Sequence, residues 1–160
     1  MNLNSFIAKC FENNIPQSSS VNPFINFALW ETRSGLEEPW QVENDMTDVA
    51  SKEIFDIKVK VACEWITLAG EALFVECLRN SCEDHPNGGS RGTPYGPGPL
   101  FQGKVGFGLE RWGFWKRRIA EIKATVGEEL YKSVDKALEK MKAVEEKAID
   151  AFTARIIFYI

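Results

Sequence analysis

Three short segments of this 160-residue chain contain side chains whose types and spacing can do chemistry. The first is residues 98–104, GPLFQGK, which match the opening of the phosphate-binding pattern G-x-x-x-x-G-K-[ST]. That loop needs free backbone N–H groups, a preceding strand and a hydroxyl residue after the lysine. Here Pro99 removes one N–H, Val105 occupies the hydroxyl position, and no strand pattern precedes. We therefore do not interpret the segment as a nucleotide site.

The second segment contains Cys77, Cys82 and His85 in a C-x4-C-x2-H spacing. A structural zinc site takes four ligands, and His85 is the only histidine, so the fourth ligand would be Cys63, Cys10 or a carboxylate. Cys63 lies upstream on a long predicted helix, far from this loop. The pattern instead predicts reduced, mostly buried thiols, with no metal and no cofactor. A lone histidine in a flexible loop also lacks the fixed partner that a nucleophilic triad needs, so no catalytic residue is assigned.

The third segment, residues 110–118 (ERWGFWKRR), has the densest mixture of rings and charges. Its aromatic and basic side chains can clamp an anion or stack on bases. Alternatively, the tryptophans lie in the core while the basic side chains are solvated or paired with acids from the first part of the chain. Residues 1–100 hold 7 Lys/Arg against 14 Asp/Glu, and residues 101–160 hold 12 against 9. With a net charge of −4, the structural interpretation is favoured and nucleic acid is not a favoured partner. The candidate binding residues are Trp65, Trp112, Trp115, Glu110, Arg111, Arg117 and Arg118.

Helical periodicity predicts the elements that carry these segments. A short helix covers residues 3–13, and a second follows Asn22 and Pro23, which suit an N-cap and a first helical position. A long central helix begins near Thr47, with Gly70 as the expected bend. Two more helices follow at residues 109–125 and from 128 onward, separated by Gly127. The prediction is an all-α fold, a single-domain irregular bundle of about five helices spanning residues 1–160.

The core is predicted from apolar spacing. The glycine- and proline-rich residues 85–108 form a long loop, of which 85–94 is expected to be flexible and 95–108 to pack on the helices. Apolar rows on the central helix place about half of its circumference in the core. The side chains expected inside the bundle or pinning the loop include Trp30, Ile54, Ile57, Trp65, Trp112, Trp115, Leu100, Phe101 and Phe107.

The last helix has heptad spacing. Its apolar row runs Leu130, Val134, Ala137, Met141, Val144, Ala148, Ala151, with intervals of four and three. The end of the chain, residues 152–160, is apolar on nearly all sides but too short to span a bilayer. Such an end docks on its own core or on a second copy, so self-association through this helix is one expectation and contact with another protein is the other.

Residues 98–118, GPLFQGKVGFGLERWGFWKRR, combine a glycine-rich start with five aromatic residues, which are rare in most sequences. This segment resembles the signature of the family catalogued as domain of unknown function 3632. Two upstream stretches are also similar, from Ala28 to Glu38 and from Ala62 to Gly70. The resemblance covers roughly residues 24–146, with Phe101 and Gly108 departing from the usual pattern. It implies a helical, fungal, intracellular protein and implies no reaction.

These observations favour an interaction or scaffold protein that works through apolar helix faces, rather than an enzyme. The alternative is a small-molecule-binding or enzymatic domain whose pocket is lined by Trp65, Trp112, Trp115 and Glu110, because a carboxyl group among rings can be tuned for chemistry. The N-terminus has neither a signal-peptide nor a transit-peptide pattern, and no membrane is expected as a partner. An intracellular location, in the cytoplasm or the nucleus, is the expectation.

Overall fold

The computed structural model describes residues 2–13, 24–39, 49–82 and 95–157. Within these ranges the chain forms helices and no strand, so the predicted all-α bundle of five helices is confirmed. The predictions at Asn22, Pro23, Thr47, His85 and residues 85–94 lie outside the described residues. The helices are α1 (Leu3–Asn13), α2 (Ile25–Leu36), α3 (Val49–Leu78), α4 (Leu109–Lys123) and α5 (Glu128–Ile157).

Helix α3 is the central element of the bundle. Helices α1, α2 and α5 all pack along it, and α4 packs mainly on α5. The polar contacts give the directions of the helices. Lys60 on α3 pairs with Glu129 at 3.1 Å, and Glu71, further along α3, pairs with Lys140 at 3.5 Å, so α3 and α5 run parallel. Trp112 near the start of α4 donates to Glu145 late in α5, so these two helices are antiparallel.

The bend predicted in the central helix lies at Ala69, one residue before Gly70. Ala69 has φ −131° and ψ 25°, which interrupts the helical backbone and frees N–H groups in the next turn. One of these groups, the N–H of Ala72, donates to the Glu12 carboxylate of α1 at 2.9 Å. The second half of α3 therefore begins as a new helix whose N-terminal cap comes from another helix.

Most predicted core residues are buried. Trp65, Trp112 and Trp115 are at most 2% exposed, and Phe101 and Phe107 are buried as expected. Gly127 separates α4 from α5, also as expected. The first five residues of the heptad row, from Leu130 to Val144, are buried. Ala148 is then half-buried and Ala151 is exposed, so α5 continues beyond the body of the bundle.

Four predicted core or pinning positions are wrong. Trp30 is 43% exposed, because α2 buries its other face against α3. Ile54 and Ile57 are 56% and 60% exposed, because most of this first part of α3 faces solvent: seven of residues 51–60 have exposed side chains. Leu100 is 37% exposed, because the loop is fixed there by its backbone, whose N–H donates to the carbonyl oxygen of Glu37.

No helix of the described residues is long and apolar enough to cross a membrane.

Replacing Glu12 with alanine removes the cap at the bend in α3 and is expected to lower the free energy of unfolding by about 1 kcal/mol. Urea denaturation followed by circular dichroism measures this change. The Glu12→Gln variant keeps an acceptor oxygen and should lose less than Glu12→Ala. Equal losses in the two variants would show that the hydrogen bond to the N–H of Ala72 does not stabilise the bend.

Candidate functional site

A buried carboxylate lies at the end of α2. The last helical residue is Leu36, and Glu37 follows as the C-cap, with its N–H bonded to the carbonyl oxygen of Arg33. The Glu37 side chain is fully buried. A negative charge is unfavourable at a helix C-terminus and expensive to bury, so this position requires strong compensation from elsewhere in the fold.

The compensation comes from Arg111 in the first turn of α4. Its Nε and Nη2 groups donate to the two oxygens of Glu37 at 2.6 and 2.8 Å, a bidentate pair that is 1% exposed on the arginine side. The remaining N–H groups donate to the carbonyl oxygens of Tyr95, Gly96 and Gly106 at 3.2, 3.0 and 2.7 Å. All five guanidinium donors are therefore used within the protein.

The carboxylate of Glu37 is equally saturated. Besides the two bonds from Arg111, Oε1 accepts from the indole N–H of Trp115 at 2.7 Å, and Oε2 accepts from the backbone N–H of Gly98 at 2.8 Å. Four donors thus converge on two oxygens, which is about the acceptor capacity of an ionised carboxylate. We call Glu37, Arg111 and Trp115 the clamp.

The clamp holds residues 95–107, which we call the strap. The strap crosses from the end of α3 to the start of α4, and its N–H groups at Leu100, Gly106 and Phe107 bond to the carbonyl oxygens of Glu37, Tyr95 and Ser81. A Cβ at Gly98 would lie 2.5 Å from the Cβ of Glu37, so only glycine allows this approach. Residues 98–104, which match the start of the phosphate-binding pattern, are therefore part of the folded strap. The backbone N–H of their first residue, Gly98, already donates to the Glu37 carboxylate.

Aromatic rings cover the clamp. The guanidinium carbon of Arg111 lies 5.2 Å from the ring centre of Phe101 and 5.9 Å from that of Trp115. Phe107 meets Trp115 edge to face, with ring centres 6.3 Å apart. These contacts stabilise the cation and exclude water. With every donor and acceptor engaged, the clamp connects α2, the strap and α4 and offers no free group to a substrate.

The predicted binding residues do not gather into one pocket. The indole N–H of Trp65 donates to Asn4 at 3.3 Å, that of Trp112 to Glu145 at 2.9 Å, and that of Trp115 to Glu37. Of the other candidates, Glu110 and Arg117 are exposed and Arg111 is buried. Arg118 is half-buried, and its guanidinium lies 3.3 Å from the Glu121 carboxylate.

The sequence places Arg111 among the binding candidates, with pairing of the basic residues to acids of the first part of the chain as the structural alternative. The structure shows that pairing for Arg111, and its partner is Glu37, which the sequence analysis does not single out. A signal was present: an acidic residue at a predicted helix C-terminus is unfavourable unless a cation reaches it.

A cavity of about 280 Å³ lies beside the start of α4. Strap residues Lys104, Val105 and Phe107 form one side of it, and Leu78 and Leu109 form another. Glu110 and Arg111 line it as well, but none of the three predicted tryptophans does.

The cysteines are held as thiols. Burial raises the pKa of Cys63 and of Cys77 to about 12 and raises the pKa of Cys82 as well, so these thiols are poor nucleophiles at neutral pH. Among the residues that the structure describes, no group of three side chains is placed to hold a metal ion.

The chain matches a known protein family over most of its length. The family described as Protein of unknown function (DUF3632) matches residues 1–119, which include α1 to most of α4, the strap and all three clamp residues. The chain is a member of this family. No curated protein and no solved structure gives a significant match.

Replacing Glu37 with glutamine leaves the buried Arg111 cation without its counter-charge. We expect the free energy of unfolding to fall by about 3–5 kcal/mol, measured by urea denaturation. The neighbouring Glu38→Gln variant removes the same charge from a half-buried site and should change stability by less than about 0.5 kcal/mol. Similar small losses in both variants would contradict the importance of the clamp.

Proposed function

We propose that this member of the family is a protein-interaction domain that binds the helix of a partner protein at one end of its bundle. The supporting observation is a set of four large apolar side chains at that end, each more than half exposed. They are Leu78, Leu109, Ile149 and Phe152, with exposures of 52%, 51%, 63% and 67%, and we call them the end surface.

The helix directions place these four residues together. In the parallel pair α3 and α5, Lys60 is level with Glu129, which puts Leu78 level with Lys147. In the antiparallel pair α4 and α5, Trp112 is level with Glu145, which puts Leu109 level with Ala148. Leu78 and Leu109 also line the same cavity. The end of α3, the start of α4 and the projecting end of α5 thus form one apolar surface.

Exposure of this kind is typical of a docking site. Isolated exposed leucines are common, but several large apolar side chains on one surface are unfavourable in water unless a partner covers them. An aromatic and a branched aliphatic side chain three residues apart on a helix, as in Phe152 and Ile149, suit a second helix whose side chains pack between them.

The alternative function, an aromatic-lined pocket with catalytic or ligand-binding chemistry, has less support. The three tryptophans expected to line such a pocket direct their indole N–H groups to three different protein acceptors. Glu110 is exposed at the edge of a cavity that none of them lines.

An intracellular location, in the cytoplasm or the nucleus, is part of the proposal. Its support is that Cys63 and Cys77 are fully buried in the apolar core, where reduced cysteines pack as small apolar side chains. A fungal source rests on the family resemblance and stays a prediction.

A photo-reactive residue at position 152 tests the proposal in living cells. Any protein cross-linked there, including the chain itself, is purified and its affinity for the wild-type chain and for the Phe152→Glu variant is measured. We expect Phe152→Glu to weaken binding at least tenfold, because a charge cannot be buried among apolar side chains.

Tyr131→Glu is the matched control, since Tyr131 is an exposed aromatic at the other end of α5 and its replacement should leave binding unchanged. Equal affinity of every purified cross-linked protein for the wild type and Phe152→Glu would overturn the proposal.

A further inference from the structure

The geometry points to a binding site for a free α-amino acid at the end of the bundle where α5 begins, away from the end surface. A cavity between α3 and α5 holds this ligand. The first turn of α5 binds its carboxylate, Asp56 binds its ammonium group, and apolar residues contact its side chain. The inference is independent of the proposed function, because none of the end-surface residues lines this cavity.

The cavity has the size of a small-molecule site. Its volume is about 440 Å³, within the range of about 300–1,000 Å³ that is usual for ligand pockets. One side is formed by residues of α3 whose spacing places them on one face of the helix: Lys52, Glu53, Asp56, Ile57 and Lys60. The other side is formed by four consecutive residues at the start of α5: Gly127, Glu128, Glu129 and Leu130. The cavity therefore combines charged groups of both signs with the apolar side chains of Ile57 and Leu130.

The feature that points to a ligand is the Asp56 carboxylate. Its Oδ1 atom is buried, and no group of the described residues donates a hydrogen bond to it. A buried acceptor without a donor is unfavourable, and native structures contain few of them unless a water, an ion or a ligand completes the site. An ammonium group is the fitting donor, because it supplies both hydrogen bonds and the opposite charge.

The start of α5 supplies the complementary donors. The first backbone bond of this helix runs from the N–H of Tyr131 to the carbonyl oxygen of Gly127, so the three N–H groups that follow Gly127 have no acceptor within the helix. Gly127 has no side chain to cap them, and a Cβ there would have no atom of the described chain within 4 Å. These N–H groups and the helix dipole favour a carboxylate at this point.

The acidic side chains of α5 do not compete with the ligand's carboxylate. Glu129 pairs with Lys60 at 3.1 Å, and its side chain is 90% exposed. Glu128 pairs with Lys132 at 3.5 Å and is 89% exposed. Both charges are therefore matched within the chain and screened by solvent. A zwitterion satisfies Asp56 and the start of α5 at the same time, which neither a simple amine nor a simple acid can do.

A series of three ligands on the wild-type chain tests the inference. L-leucine has both charged groups, 3-methylbutylamine has only the ammonium group, and 4-methylpentanoate has only the carboxylate. We expect leucine to bind with a dissociation constant on the order of 1 mM, and each analogue to bind at least tenfold more weakly, because one set of polar contacts is lost. Amide chemical shifts measured by NMR during the titration give the affinities, and they should change at Asp56 and at residues 127–130.

Asp56→Asn is the matching variant of the protein. It keeps the size of the side chain but removes the charge that binds the ammonium group, so leucine should bind at least tenfold more weakly. Asp150→Asn is the control, because it removes the same charge from an exposed position near the other end of α5 and should bind leucine as the wild type does. Circular dichroism spectra that match the wild type show that both substitutions leave the fold intact.

Three results would overturn the inference. Amide shifts that do not change up to about 50 mM leucine, roughly fifty times the expected constant, would exclude the site. An analogue that binds as tightly as leucine would exclude a zwitterion as the ligand. Equal affinity of the wild type and Asp56→Asn for leucine would exclude Asp56 as the group that binds the ammonium. Each of these results leaves the docking proposal, which is tested at position 152, unaffected.

Discussion

The structure depends on one buried ion pair, Glu37 with Arg111. Its two charges lie 74 residues apart in sequence, and each is unfavourable alone: a buried anion at a helix C-terminus and a buried cation in the first turn of a helix. Together, with Trp115 and the backbone of the strap, they satisfy every donor and acceptor of both groups. Such a pair contributes little net stability compared with apolar side chains of similar size, but removing either partner is strongly destabilising. The pair therefore fixes one arrangement of α2, the strap and α4.

The clamp also determines what the molecule presents to solvent. By fixing the strap between α2 and α4, it places Val105 and Phe107 against the cavity that Leu78 and Leu109 share. These two leucines belong to the end surface, so the buried pair and the end surface are connected through the strap. The bend at Ala69 lies at the other end of the second half of α3. There Glu12 of α1 caps the new helix, and Lys140 and Lys147 of α5 pair with Glu71 of α3, so both neighbours hold α3 at its bend.

The sequence predicts the elements of this fold better than their contacts. Periodicity and the break at Gly127 are local signals, and they locate α4 and α5 correctly. The exposure of Trp30 follows instead from which face of α2 packs on α3, and that of Ile54 from which part of α3 its neighbours cover. No local pattern contains either. The pairing of Arg111 with Glu37 is likewise a matter of tertiary distance, although the unfavourable acid at the end of α2 was a readable clue. The end surface was foreseen only in part, through the apolar end of the last helix, because Leu78 and Leu109 join it by three-dimensional register alone.

Native-state hydrogen exchange tests most directly whether the clamp makes the strap an integral part of the bundle. The N–H groups of Gly98, Leu100 and Gly106 all bond to atoms of the clamp or the strap. They should exchange only through global unfolding, with the same opening free energy as the amide of Trp115 in α4. Exchange of these three amides at a much lower opening free energy, while α4 remains protected, would show that the strap opens independently and would contradict the account.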